Sequence, residues 1–412
     1  MRKALVLLLA GMVLGCASRQ PQSDRKISSL QELLLTVKLA PEDVDARVRL
    51  GVTYAHLGKY RAAVAEFDSA LSRFPDYPPA LYEKGQTLRA LGFAAEGKRL
   101  IRRAVTLPEG SELRARLARE LGRPFHIDQL TFGRYDNAFP AWFPDGRRIT
   151  FQSNRTGNWE LFVLDLTTGA LVQLTEHPAR DEGPALCRGG GLLAFTSTRD
   201  AEPSADTHLP PREIYLYDLQ SQGLSRITTN HVDDFHPVLS PDCTKLFYVS
   251  AGDSKEGRHT VMALDLRDGR SRPLTDVGVD CLAPDVSPDG AFLLFLQKQG
   301  KRSLLCEMHL KTRQTRIVTD TLGVKASPAY SPDGQSIVFA AENGKSYDLF
   351  LIRRDGRNLV QLTNDAAADG YPRFAPDGRR IAFHSNRTRS YQLYLIDMDT
   401  VPTIGELQDF FE

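Results

Sequence analysis

Residues 138–175 read AFPAWFPDGRRITFQSNRTGNWELFVLDLTTGALVQLT. Four apolar or β-branched runs stand out: Ala138 to Phe143, Arg148 to Ser153, Trp159 to Leu166 and Leu171 to Thr175. Turn residues separate them at Pro144-Asp145-Gly146, Asn154 to Asn158 and Thr167-Thr168-Gly169, a pattern that predicts four antiparallel strands. The unit then repeats. Pro144-Asp145-Gly146 returns as Pro241-Asp242-Cys243, Pro288-Asp289-Gly290, Pro332-Asp333-Gly334 and Pro376-Asp377-Gly378, in steps of 97, 47, 44 and 44. One member is missing near residue 188, where Arg188-Gly189-Gly190-Gly191 still supplies a turn. A second marker completes the count: Leu130-Thr131, Leu174-Thr175, Ile227-Thr228, Leu274-Thr275, Val318-Thr319 and Leu362-Thr363 are spaced 44, 53, 47, 44 and 44. Six units of about 46 residues predict a six-bladed β-propeller over residues 126–400. The last unit lacks its own Leu-Thr strand, while Ile127 to Thr131 carries that strand's sequence ahead of the first unit. Pairing it into the last blade closes the ring and removes both open edges.

Upstream, residues 41–110 repeat at 34: Gly51 recurs as Gly85, Leu57-Gly58 as Leu91-Gly92, and Ala70 as Ala104. Leu50-Gly51, Tyr54, Ala63, Phe67, Ala70 and Pro75 fall in the pattern of a tetratricopeptide repeat, which this segment resembles. Phe67, Leu71 and Phe74 form an apolar stripe expected to be buried. In the second copy, Lys84, Leu88 and Gly97 replace the expected Leu, Tyr and Ala. Helices over Ile27 to Val37 and Leu113 to Leu121 extend the array to about five. Such a stack either binds partners along its concave face or acts as a spacer. The fold class is therefore multidomain α and β: a short tetratricopeptide-like array over 27–122, then an all-β propeller, with 401–412 as a terminal tail.

The first residues carry a basic start, Met1-Arg2-Lys3, and an apolar stretch from Ala4 to Leu14. That stretch has signal-peptide length and is too short for a stable membrane span. It ends on Val13-Leu14-Gly15-Cys16, which resembles the lipobox of bacterial lipoproteins. Cys16 is then the lipid attachment site, 1–15 the leader and 16–26 a polar tether. The Ala17 that follows resembles the pattern sorted to the outer membrane, so the expected location is lipid-anchored and facing the periplasm. The 52 basic and 51 acidic residues give a net charge of +1, which leaves no global field for nucleic acid. With 42% hydrophobic residues, packed cores are affordable and a wholly disordered chain is excluded.

The Pro-Asp-Gly units, with Phe151 to Arg155, Phe383 to Arg387 and Leu161 to Asp165, resemble the TolB-like propeller, a relative of the WD-repeat class. The resemblance implies the fold and a periplasmic interaction role, although the same fold hosts many functions. In that family a small α/β domain precedes the propeller. Here an anchor and helical repeats stand in its place, which implies a scaffold outside the Tol–Pal system.

Strand alternation puts the fourth-to-first connections and second-to-third turns on one face, here called the top. Asp136, Asp181, Glu182, Asp233, Asp234, Asp280 and Asp369 fall three or four residues ahead of inner strands there, with Lys325 in the fifth blade. A ring of carboxylates at the channel mouth would favour a basic peptide, an amine or a hard cation; the alternative is Asp capping of loops. Arg155, Arg199 and Arg387 occupy equivalent turns in blades one, two and six, and read as either a basic recognition arc or structural stacking. Blade two also carries an insertion from Asp200 to Arg212 on this face, which reads as either a partner contact or tolerated length.

His177, His208, His231 and His236 also map to top loops and are weak metal candidates, as in pectin-degrading lyases on a similar propeller. Cys187 and Cys243 fall at adjacent bottom turns and form a candidate disulfide, with Cys281 and Cys306 as buried thiols. Gly-x-Ser-x-Gly, His-Glu-x-x-His and phosphate-loop patterns are absent, so neither enzyme chemistry nor a cofactor is expected. The expected function is a non-enzymatic envelope scaffold that meets envelope proteins through its propeller top and helical repeats. The alternative is a metal-dependent polysaccharide lyase or saccharide-binding protein.

Overall fold

The computed structural model describes residues 22–200, 210–230, 232–251, 257–300, 302–320, 323–344 and 346–412. Cys16, His208 and His231 lie outside them. The chain divides into two compact units, one ending at Arg114 but including Gln408–Glu412, the other spanning Ala115–Leu407. The tail expected over 401–412 is thus shared between the two.

The helical unit contains α1 (Gln22–Leu39), α2 (Val44–His56), α3 (Tyr60–Arg73), α4 (Pro78–Ala90) and α5 (Ala94–Thr106), while α6 (Ser111–Glu120) crosses the boundary. Asp43 caps α2 by accepting the Ala46 N–H at 2.8 Å, and Pro78 starts α4 where no amide donor is required. Phe67 and Tyr82 are fully buried. Phe74 is not: it is 57% exposed, because α3 ends at Arg73 and its successor leaves the helical stripe. Gly97 stands where alanine is expected because α4 and α5 touch backbone to backbone. A Cβ on Gly85 would sit 2.7 Å from the Gly97 carbonyl oxygen.

The other unit is a ring of six four-stranded antiparallel sheets. The inner strands are Asn137–Trp142, Asp181–Leu186, Asp234–Leu239, Cys281–Val286, Val324–Tyr330 and Asp369–Phe374. The strand His126–Gln129 pairs with Ser390–Asp397, His126 opposite Asp397, and so completes the last blade from the other end of the sequence.

The recurring Leu-Thr dipeptide has a clear job. Its threonine hydroxyl accepts a backbone N–H of the third strand and, in blades one and six, donates to the side chain just before that residue. Thr175 does this with Leu161 N at 2.9 Å and Glu160 at 2.7 Å, and Thr131 with Leu393 N and Gln392, both at 2.9 Å. Thr228, Thr275 and Thr363 accept equivalent amides. The leucine before each threonine packs into the adjoining apolar clusters.

Thr175→Val is expected to orphan the Leu161 amide and one oxygen of the buried Glu160 carboxylate, whose other oxygen keeps the His177 amide, costing about 2–3 kcal/mol. Both tryptophans, Trp142 and Trp159, lie in the propeller, so denaturant unfolding followed by their fluorescence reports that loss.

Candidate functional site

Each inner strand is the edge strand of its sheet, bonded on one side only, which is where a proline is tolerated. All six carry one, at Pro140, Pro184, Pro237, Pro284, Pro328 and Pro372. A register shift marks a bulge at each. Phe139, Gly183, His236, Ala283 and Tyr371, immediately ahead of five of these prolines, have φ between 50° and 61°. Such values are uncommon for residues with side chains and mark places where the ring imposes its geometry.

The bulges aim Phe139, Gly183, His236, Ala283, Ser327 and Tyr371 at a central cavity of about 380 Å³. The three large members meet across the axis. His236 and Tyr371, from opposite blades, are bonded between Nε2 and the phenol oxygen at 3.0 Å. Phe139 lies against Tyr371 with ring centroids 3.8 Å apart, and His384 joins the cluster 5.1 Å from Tyr371. Together they bar the channel at this level.

Two residues further along each strand, a second ring is formed by Ala141, Ala185, Val238, Asp285, Ala329 and Arg373. Burial holds both His236 and His384 near a pKa of about 3, so both imidazoles are neutral. The His384 Nδ1 accepts the Phe139 N–H at 3.3 Å. Burial also raises the Asp285 carboxyl and lowers the Arg373 guanidinium. None of Tyr371, Asp285 and Arg373 is among the residues expected from sequence. The recurrent X-Pro dipeptide was the available signal, since aligning on it exposes one acid and one base in a ring of small side chains.

The carboxylates expected at the channel mouth are placed differently. Asp181, Asp234 and Asp369 are first residues of inner strands, and Asp136, Asp233 and Asp280 come immediately before them, not three or four residues ahead. Asp181, Asp234 and Asp369 are buried. Asp181 pairs with Arg199, and Asp369 with Arg387 at 3.1 Å. Asp233 binds Arg212 through two oxygens at 2.9 and 2.6 Å, and Asp280 takes both His259 and Lys298 at 2.8 Å. Asp136 accepts the Tyr391 N–H at 2.8 Å, and Glu182 is half-buried near Arg212 and Arg180. Lys325 is within the fifth inner strand.

The arginine arc is likewise internal. Arg155, Arg199 and Arg387 each donate Nε to the serine two residues back, at 3.0, 3.0 and 2.9 Å. Each also lies over an aromatic ring of its own blade: Phe162, Tyr215 and Tyr394. In blade one, Asn137 replaces the aspartate and accepts Arg155 at 2.7 Å. Asp234, whose nearest polar neighbours are Asn230, Ser250 and Thr228, is pushed up by burial to about 6.

The described metal candidates are not brought together. His177 accepts the Ala179 N–H in a loop while His236 lies in the channel, and among the described residues no three His, Cys, Asp or Glu side chains are grouped to hold an ion.

The TolB beta propeller domain signature matches residues 127–309 and again 281–403, two thirds of the chain in all. The chain belongs to the TolB β-propeller family. Among relatives, it is 24% identical over 168 residues to the Tol-Pal system protein TolB of Francisella tularensis, covering 40% of this chain and 36% of that protein. It is 28% identical over 160 residues to the Protein TolB homolog of Chlorobium luteolum, covering 31% and 36% respectively. The chain thus spans about a third of the length of these curated relatives. Among solved structures, an oligogalacturonate lyase in complex with manganese superposes with a TM-score of 0.50 at 17% identity, covering 68% of this chain and 94% of that one. This likeness is one of fold.

The bottom face of this TolB-family ring is a collar of turns. In the Pro-Asp-Gly turns the aspartate accepts a following amide, as Asp145 does from Arg147 at 2.8 Å. The glycines, at φ 65° to 72°, each face a proline of the preceding blade: Gly146 faces Pro376, Gly290 Pro241, Gly334 Pro288 and Gly378 Pro332. In blade two, Gly190 keeps the contact with Pro144, but Arg188 stands in the proline's place. In blade three, Cys243 takes the glycine's place at φ 60°. The junction between blades two and three therefore has neither partner of the usual contact. There Cys187 and Cys243 are bonded, with Cα atoms 5.7 Å apart.

Linking residues 56 apart, this disulfide is worth about 4 kcal/mol in the chain-entropy account. A Cys187→Ser/Cys243→Ser variant is expected to melt several degrees lower and to lose the reductant sensitivity of the wild type, read by calorimetry with and without dithiothreitol. Cys281 and Cys306 are buried and pushed by burial to about 11, so neither reacts in the native state.

The imidazoles set a pH dependence. Their unfolded pKa is near 6.5, so the unfolded chain takes protons between about 6.5 and 3 that the native channel refuses. Stability from this source is complete above 6.5 and declines as pH falls. Asp234 and Asp369, both raised to about 6, act oppositely and lose stability as pH rises through 6. His384→Asn, which keeps an acceptor for Phe139, is expected to lessen the loss of melting temperature between pH 7 and 4.5 by about 1–2 kcal/mol equivalent.

Proposed function

We propose that the protein is a non-enzymatic scaffold of the bacterial cell envelope, anchored through Cys16 to the outer membrane and binding envelope proteins by the top face of its propeller. Membership of the TolB β-propeller family supports an interaction role. The observation that carries the surface assignment is a pair of bare apolar side chains on that face. Phe132 is 66% exposed in the connection to blade one, and Val277 is 65% exposed in that to blade four. The Asp280–Lys298 pair belongs to the same connection as Val277, and the Asp233–Arg212 pair to the neighbouring blade, so Val277 has charged groups nearby in the chain. The helical array, read as tetratricopeptide-like, supplies a second contact surface. In this reading attachment is through the lipid on Cys16; among the described residues no helix is long and apolar enough to cross a membrane.

Cross-linking in whole envelopes followed by affinity capture tests this reading. Phe132→Ser/Val277→Ser and, separately, Asp233→Lys/Asp280→Lys are each expected to deplete specific proteins at least several-fold. Capture unchanged in both variants overturns the top-face assignment. Cys16→Ala is expected to abolish lipid labelling and release the protein from the membrane fraction.

A further inference from the structure

The channel below the His236–Tyr371 bar is not part of the top-face contact, and its lining has a chemistry of its own. It is walled by Trp142, Val238, Val286 and Phe374 and reaches the rim of Pro-Asp-Gly turns at Pro144, Pro332 and Pro376. At about 380 Å³ it is the size of a small-molecule site. Its charged lining consists of Arg188, Asp285 and Arg373, so cationic groups outnumber acidic ones two to one.

Both arginines feel the Asp285 carboxylate across the channel, but neither reaches it in an ion pair. Arg373 gives Nη1 to the Ser327 and Pro372 carbonyls at 3.3 and 2.9 Å, which fixes the guanidinium. No carboxylate among the described residues lies within ion-pair distance of it. Asp285 instead accepts the Tyr330 N–H at 2.8 Å. Arg188 is exposed and occupies the rim position that is proline in the other five blades. Its neighbour Cys187 is tied to Cys243, so the backbone that carries this cation at the mouth is fixed. A desolvated guanidinium whose counter-charge lies beyond contact is costly, and an incoming anion with an apolar body offsets that cost.

We propose that the propeller channel binds a monocarboxylate with an apolar body, entering from the Pro-Asp-Gly rim. Arg373 takes the carboxylate, Arg188 attracts it at the mouth, and Trp142, Val238 and Phe374 cover the body. The apolar walls suit a monoanion with an apolar body better than a strongly hydrated phosphate dianion. The carboxylate comes either from a free organic acid or from the C-terminus of a peptide, which share this chemistry.

The test is calorimetric titration of the whole chain in detergent, with Trp142 fluorescence as a second readout. The probes are 4-phenylbutyrate and the peptide Gly-Ala-Leu-Phe, each beside its amide. At least one carboxylate is expected to bind below about 1 mM, and its amide at least about tenfold more weakly. Binding by the acid alone identifies a metabolite site, and binding by the peptide alone a C-terminus site; either supports the proposal. Arg373→Gln is expected to weaken binding about tenfold or more, and the surface variant Arg188→Ala to weaken it several-fold with the melting temperature unchanged. The proposal is overturned if neither carboxylate binds at about 10 mM, if amides bind equally, or if Arg188→Ala and a folded Arg373→Gln leave the affinity unchanged. Top-face capture of envelope proteins is independent of all these outcomes.

Discussion

The pairing of His126–Gln129 onto Ser390–Asp397 is the contact on which the rest of the propeller depends. It joins segments some 270 residues apart and leaves the sheet ring without a seam. Further bonds hold this closure. His126 Nδ1 meets Glu406 at 2.8 Å, the Ile127 amide donates to the same carboxylate, and the buried Thr131 holds the Leu393 amide. Hydrogen bonding to Glu406 raises the His126 pKa, which keeps the latch charged over more of the acidic range. Only with the ring closed do six inner strands face a common axis.

Once they do, a problem common to sheet proteins becomes an asset. An edge strand normally invites pairing with another chain, and here the edges are turned inward and carry proline in every blade. The bulge ahead of each proline then presents one residue to the axis. A repeat fold thus supplies six equivalent positions, and individuality arises wherever the repeat is broken. The bar across the channel, the acid and base beneath it, the arginine at the rim and the disulfide beside it are all such departures.

The top face shows the converse. Charges that look available in the sequence are absorbed by the repeat itself, because the Asp that begins an inner strand faces the Arg of the same blade's second-to-third turn. Burial of Asp181 and Asp369 beside arginines over aromatic rings makes a rigid clamp between strands one, two and three. A carboxylate one position earlier, such as Asp233 or Asp280, remains partly accessible yet is also paired. A shift of one residue along a strand exchanges the two situations.

Blade number, strand order, ring closure and the two-part organisation were all legible in the sequence. They follow from local periodicities, turn chemistry and the requirement that no edge stay open, each of which acts over a few residues and repeats. The placement of Cys187 and Cys243 at adjacent bottom turns was also legible from that spacing. What tertiary structure alone decided was the fate of individual charges and the content of the channel. Whether Asp369 is a binding group or a buried clamp depends on strand register and on the residues packed over it. Whether His236 is a loop histidine or half of a cross-channel bar depends on Tyr371, which is 135 residues away and reaches it only because the ring closes.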